Sequence, residues 1–130
     1  MTQEDKNLLL KDLCARLPYG VRGERTWTAP VSRSPEKGVF VFDTFDINVL
    51  TTGYYDCGEH GFREVRNYSF KPYLFPMSSM TEEQKEDMIK SSCGIGSDKN
   101  VFDWFNKNHF DYRGLIPKGL ALDATGLNIY

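Results

Sequence analysis

The stretch from Asp98 to Ala124, DKNVFDWFNKNHFDYRGLIPKGLALDA, constrains the fold of this chain more than any other. Val101, Phe102, Trp104, Phe105 and His109 recur at helical spacing and make a broad aromatic face that has to be covered. Gly114, Pro117 and Gly119 then punctuate a return segment. Leu115-Ile116 and Leu120-Ala121-Leu122 supply apolar residues for a segment that returns over that face. Phe102 and Phe105, three residues apart, are expected on the same side, with one or both buried against these leucines and the sheet. Tyr112 and Arg113 are expected to stay partly exposed.

The other helices announce themselves by their start signals. Thr2 caps a first helix, with Asp5 three residues on. Leu9, Leu10, Leu13, Cys14 and Leu17 share one face of it. Lys11, Asp12 and Arg16 are expected toward water, and Pro18 stops it. Thr81 with Gln84 predicts a second cap, with Glu82 and Glu83 in the positive first turn and Met80 as a staple. That helix runs to about Ser91 and is mostly polar. Between these helices the pattern is strand-like. Val21–Ala29, Val39–Phe42, Ile47–Tyr55 and Phe62–Phe70 are apolar or aromatic runs bounded by turn residues. Runs this short suggest an antiparallel meander, not βαβ units, and such a sheet can curl into a small barrel.

The chain has 130 residues, enough for a single globular domain spanning 1–130 without staples. A net charge of −2 argues against a surface built wholly for nucleic acid or anionic lipid. No apolar run approaches a membrane span. The acidic, polar start MTQEDKN does not read as a secretory signal. With three cysteines, an odd number, the expectation is reduced thiols in the cytoplasm. Cys14 is expected in the core.

Three segments occur in order: LLLKDLCARLPYGV (Leu8–Val21), KPYLFPMSSMTEEQK (Lys71–Lys85) and HFDYRGLIPKGLALDA (His109–Ala124). Together they resemble a family of short bacterial proteins, often encoded in prophage-like and mobile regions. They cover about a third of the chain. The resemblance implies no catalytic residues, so none are carried over. It departs at Phe75, where arginine is expected, and after Ala124. It does not extend between Arg22 and Asn67.

Several constellations could carry chemistry. Cys57 and His60 have C-x-x-H spacing, and Cys93 and His109 could complete four zinc ligands. The latter two are too far apart in sequence to form a matching short pair, so Cys57–Gly61 reads as a turn and no metal is expected. The same residues could form a Cys-His nucleophile, but no local signature surrounds any cysteine. Gly94-Ile95-Gly96-Ser97 lacks the lysine and the preceding strand of a phosphate loop. Asp43, Asp46 and Asp56 could pair as hydrolytic carboxylates, yet acids at strand ends are usually solvated turn formers. Arg22, Arg25, Trp27 and Arg33 interleave an aromatic with cations, as a single-strand nucleic-acid groove does, and Arg63, Arg66 and Lys71 could extend it. Glu24, Glu36, Glu59 and Glu64 lie among them.

His109, Tyr112 and Arg113 crowd the end of the last helix. Tyr and Arg are residue types that dominate protein-recognition patches. The expectation from sequence is therefore an α+β fold: an N-terminal helix, a curled antiparallel sheet or barrel-like meander of about four or five strands, then two helices and a return segment. Its expected role is a non-enzymatic cytoplasmic interaction domain without cofactor or metal, binding a protein through Tyr112, Arg113 and His109. A nucleic-acid module using the Arg/Trp-bearing strands is the first alternative, a small Cys/His enzyme the second.

Overall fold

The computed structural model describes residues 2–28, 36–56, 61–91 and 97–130. The fold is α+β, and the chain divides into two compact units, Met1–Pro72 and Tyr73–Tyr130.

The first unit opens with α1 (Gln3–Arg16). Thr2 caps it, its hydroxyl accepting from the Asp5 N–H at 3.1 Å. The buried positions are Leu9, Asp12, Leu13 and Arg16, which repeat at helical spacing. The inward stripe is thus rotated one step from the all-apolar one that the leucines suggest. Asp12 and Arg16, expected in water, are both fully buried and pair across one turn at 2.8 Å. Cys14, expected inside, is exposed. Opposite charges four residues apart satisfy each other on one face, which makes their joint burial tolerable.

Three strands follow this helix in one sheet. β1 (Arg22–Thr28) pairs antiparallel with β2 (Glu36–Val41) and with β5 (Arg66–Leu74). Gly23 sits where β1 and β5 approach closely. A Cβ there would lie 2.5 Å from the Phe70 ring and 2.6 Å from the Lys71 carbonyl oxygen. Phe42 and Phe70 meet edge to face at 5.3 Å, among Leu9, Leu13, Val21, Val49, Leu50 and Val65 in this unit's core.

The largest departure from the sequence reading is α2 (Thr44–Thr52), which occupies most of the run expected as a strand. Asp43 is its N-cap, accepting from the Phe45 N–H, while Asp46 reaches back to the Asp43 N–H, both at 3.0 Å. Gly53 closes the helix in the left-handed conformation, φ 82°, its N–H bonded to the Val49 carbonyl. Ile47, Val49, Thr51 and Thr52 all favour strands. The reciprocal cap and the joint burial of Asp46, Val49 and Leu50 override that preference. Thr51 and Thr52 return their hydroxyls to carbonyls of the preceding turn at 2.7 Å. Only the end of the expected run is extended: β3 (Tyr54–Asp56) pairs with β4 (Phe62–Glu64) in a separate hairpin.

In the second unit the last two residues of β5, Tyr73 and Leu74, pair in parallel with β6 (Leu122–Asp123). The strand order is β2-β1-β5-β6, mixed and open, so the sheet is neither wholly antiparallel nor closed into a barrel. The two expected helices are present as α3 (Glu82–Ser91) and α4 (Ser97–Lys107). Thr81 and Gln84 form the reciprocal cap, at 3.2 and 2.8 Å. The Trp104 indole N–H donates to Asp87 at 2.7 Å and ties α4 to α3. Trp104, Phe105 and Phe110 make the aromatic core, with Phe75, Met80 and Met88 packed on it. Met80 therefore staples to these rings, as expected of a residue before the cap. Leu115 and Leu120 of the return segment are buried, as expected.

Candidate functional site

The end of α4 is built around His109, a non-glycine residue at φ 62°. This left-handed position ends helices and normally goes to glycine or asparagine, because a Cβ there is strained. The surrounding structure holds it. The His109 carbonyl accepts from the Phe75 N–H at 2.8 Å, and the Asp111 N–H donates to the Phe75 carbonyl at 2.9 Å. The imidazole stacks on the Tyr130 ring at 3.6 Å between centroids, and the Tyr130 hydroxyl donates to the Tyr73 carbonyl at 2.7 Å.

The turn at His109 sends successive side chains to different places. Phe110 goes inward and stacks on Trp104 at 5.6 Å. Asp111, also buried, accepts from the N–H groups of Leu115 and Ile116 at 2.8 and 2.9 Å and pins the following loop. Tyr112 lies over α4, its ring 5.2 Å from Phe102 and 5.4 Å from Phe105. The Arg113 guanidinium sits 4.6 Å from the centre of the Tyr112 ring. Phe105 is buried, as one of the two phenylalanines was expected to be, but Phe102 is 48% exposed. Tyr112 and Arg113 are half-buried. The open surface is therefore Phe102, Tyr112 and Arg113. His109 is only 8% exposed and stacks on Tyr130, so it does not belong to this surface. Tyr130 is not singled out by the sequence, and Phe102 only as a core candidate.

A densely hydrogen-bonded polar group lies in the first unit. Asp46 is fully buried. One of its oxygens accepts from Arg25 Nε at 2.9 Å and the Tyr68 hydroxyl at 2.7 Å. The other accepts from Arg25 Nη2 at 2.7 Å and the Asp43 N–H at 3.0 Å. Burial, and then the charge of Asp46, push the Tyr68 pKa well above its ordinary value. Burial lowers the Arg25 pKa, but hydrogen bonding and charge from Asp46 outweigh it and the net direction is up. With both oxygens doubly engaged, this carboxylate has no lone pair left for a reacting proton. The cluster is an anchor between α2, β1 and β5. The expectation that Asp46 is a solvated turn former is corrected. The signal for it is Asp43-Thr44-Phe45-Asp46, a helix start with an acid at its third position.

Of the arginines of the alternative reading, the two whose side chains are described do not share a face. Arg22 and Arg25 are three apart on β1 and project from opposite faces. Arg22 is exposed, whereas Arg25 is committed to Asp46 and lies 4.4 and 5.1 Å from the Phe40 and Phe45 rings. Trp27 is half-buried, 5.6 Å from Phe45. Arg33 and the side chains of Arg63 and Arg66 lie outside the described residues. So do Cys57, His60 and Cys93, and with them the C-x-x-H pair, and Gly94-Ile95-Gly96. Among the described residues no group of histidine, cysteine and acids is placed to hold a metal, and no helix is long and apolar enough to cross a membrane.

No known protein family, curated protein or solved structure matches this chain. What it does has to be argued from its own residues.

Proposed function

We propose that this chain is a non-enzymatic, cytoplasmic interaction domain that binds a protein partner through Phe102, Tyr112 and Arg113. The observation that carries the reading is the exposed Phe102 ring continuing into Tyr112, with the Arg113 guanidinium over that ring at 4.6 Å. An apolar ring, an amphipathic ring and a cation in one array suit a partner that presents an apolar side chain beside a carboxylate. The array is pre-formed, because Asp111 and the His109 turn hold its backbone, so little ordering cost remains for binding. The resemblance to short proteins of prophage-like regions suggests a host- or phage-encoded partner. The nucleic-acid reading has less support, since Arg25 is held by a buried carboxylate.

The test is a photo-crosslinker placed at Tyr112 in the native host, repeated with Phe102→Ala and Arg113→Ala. One crosslinked partner, bound at least about 30-fold more weakly by either variant while both variants fold, is the expected result. A partner bound equally by parent and variants, or no crosslinked protein, overturns the proposal.

A further inference from the structure

A cleft of about 320 Å³ opens in the first unit, lined by Lys6, Val49, Leu50, Gly53, Val65 and Tyr68. It falls at the lower end of small-ligand sites. Val49, Leu50 and Val65 are buried aliphatic side chains. Gly53 borders open space, for a Cβ built there meets nothing within 4 Å.

The polar groups at this cleft are few and specific. The Tyr68 hydroxyl is spent on Asp46, and the Gly53 N–H on the Val49 carbonyl. Among the described lining residues that leaves the Lys6 ammonium as the donor with capacity for a ligand. Lys6 is half-buried, and among the described residues it has no ion-pair partner. The residues three and four away from it on α1 are Thr2, Gln3, Leu9 and Leu10, none of them acidic. Among the described residues no carboxylate lines the cleft. A single cation beside an aliphatic floor complements one anionic group carrying an apolar tail. A phosphate or a second charge would need more donors than the described lining residues supply.

We propose that this cleft binds a small monocarboxylate with a short aliphatic tail, its carboxylate on Lys6 Nζ and its tail on Val49, Leu50 and Val65. This site is separate from the Phe102–Tyr112–Arg113 surface and does not depend on the reading of that surface.

Hexanoate is the probe, followed by methyl resonances of the labelled protein, with hexan-1-ol and hexylamine as comparisons. Lys6→Met keeps the aliphatic stem and helix propensity while removing the charge, and a thermal melt checks that it folds. Saturable shifts confined to Val49, Leu50 and Val65 are expected. Hexanoate should bind about tenfold or more weakly to Lys6→Met, with hexan-1-ol unchanged. Absence of methyl shifts up to the solubility limit overturns the proposal. So does equal hexanoate binding by parent and Lys6→Met, or tighter binding of hexylamine than of hexanoate.

Discussion

Asp46 and Asp12 look alike in the sequence, acids in amphipathic patterns, and both end up fully buried. Each is tolerated because a guanidinium is within 2.8 Å, and Asp46 ties distant parts of the chain together. Its partners Arg25 and Tyr68 are 21 and 22 residues away. Breaking such a pair strands the remaining charge. Asp46→Asn is therefore expected to cost about 3–5 kcal/mol in urea melts. Tyr68→Phe removes one hydrogen bond to a charged group and leaves the ion pair, so about 1.5–3 kcal/mol is expected. Equal losses for the two variants would show that Arg25 does not depend on Asp46 in the way the geometry implies.

The elements differ in what keeps them folded. α4 contributes Trp104 and Phe105 to a core, whereas α3 has no buried residue. α3 depends on local terms: the Thr81–Gln84 reciprocal cap, Glu82 and Glu83 at its positive end, and an exposed Lys85–Glu82 pair that adds little. Among the described residues it is tied to the aromatic core through its own Met88, through Met80 before the cap, and through the Asp87–Trp104 hydrogen bond. Thr81→Ala should destabilise the protein by about 1 kcal/mol and shorten amide protection in α3 first. A denaturant midpoint identical to the parent's, with α3 protection unchanged, would mean that Met80 and Met88 hold the helix without its cap.

At the scale of the whole molecule, the buried phenol makes stability depend on alkaline pH. Tyr68 has a folded-state pKa above the value of 10.0 it has in an unfolded chain. The folded protein keeps a proton that the unfolded chain releases. The contribution is therefore fully present below about pH 10 and is lost as pH rises from there toward the folded pKa. Melting temperature should fall above about pH 10 in the parent, and part of that fall should vanish in Tyr68→Phe. Parallel pH profiles for the two proteins would show that this phenol does not carry the dependence.

The sequence by itself determined the features that local physics controls. Thr2 and Thr81 mark helix starts because capping acts over three residues. The aromatic period of α4 demands a cover, and the punctuated return supplies buried Leu115 and Leu120. The α+β class follows from these helices together with the strands β1, β2 and β5. Part of the candidate site was legible too, since Tyr112 and Arg113 stand where the turn leaves them half-open. Only the tertiary structure decided the rest. Thr44–Thr52 is helical against its β-branched residues because Asp46 finds Arg25 and Tyr68 from that backbone and is buried with Val49 and Leu50. α1 turns its Asp12–Arg16 pair inward, and His109 is drawn under Tyr130, out of the surface its residue type suggested. Burial of a charge and strain in a backbone depend on partners far along the chain, and neither the pairings nor their energies are visible in a window of a few residues.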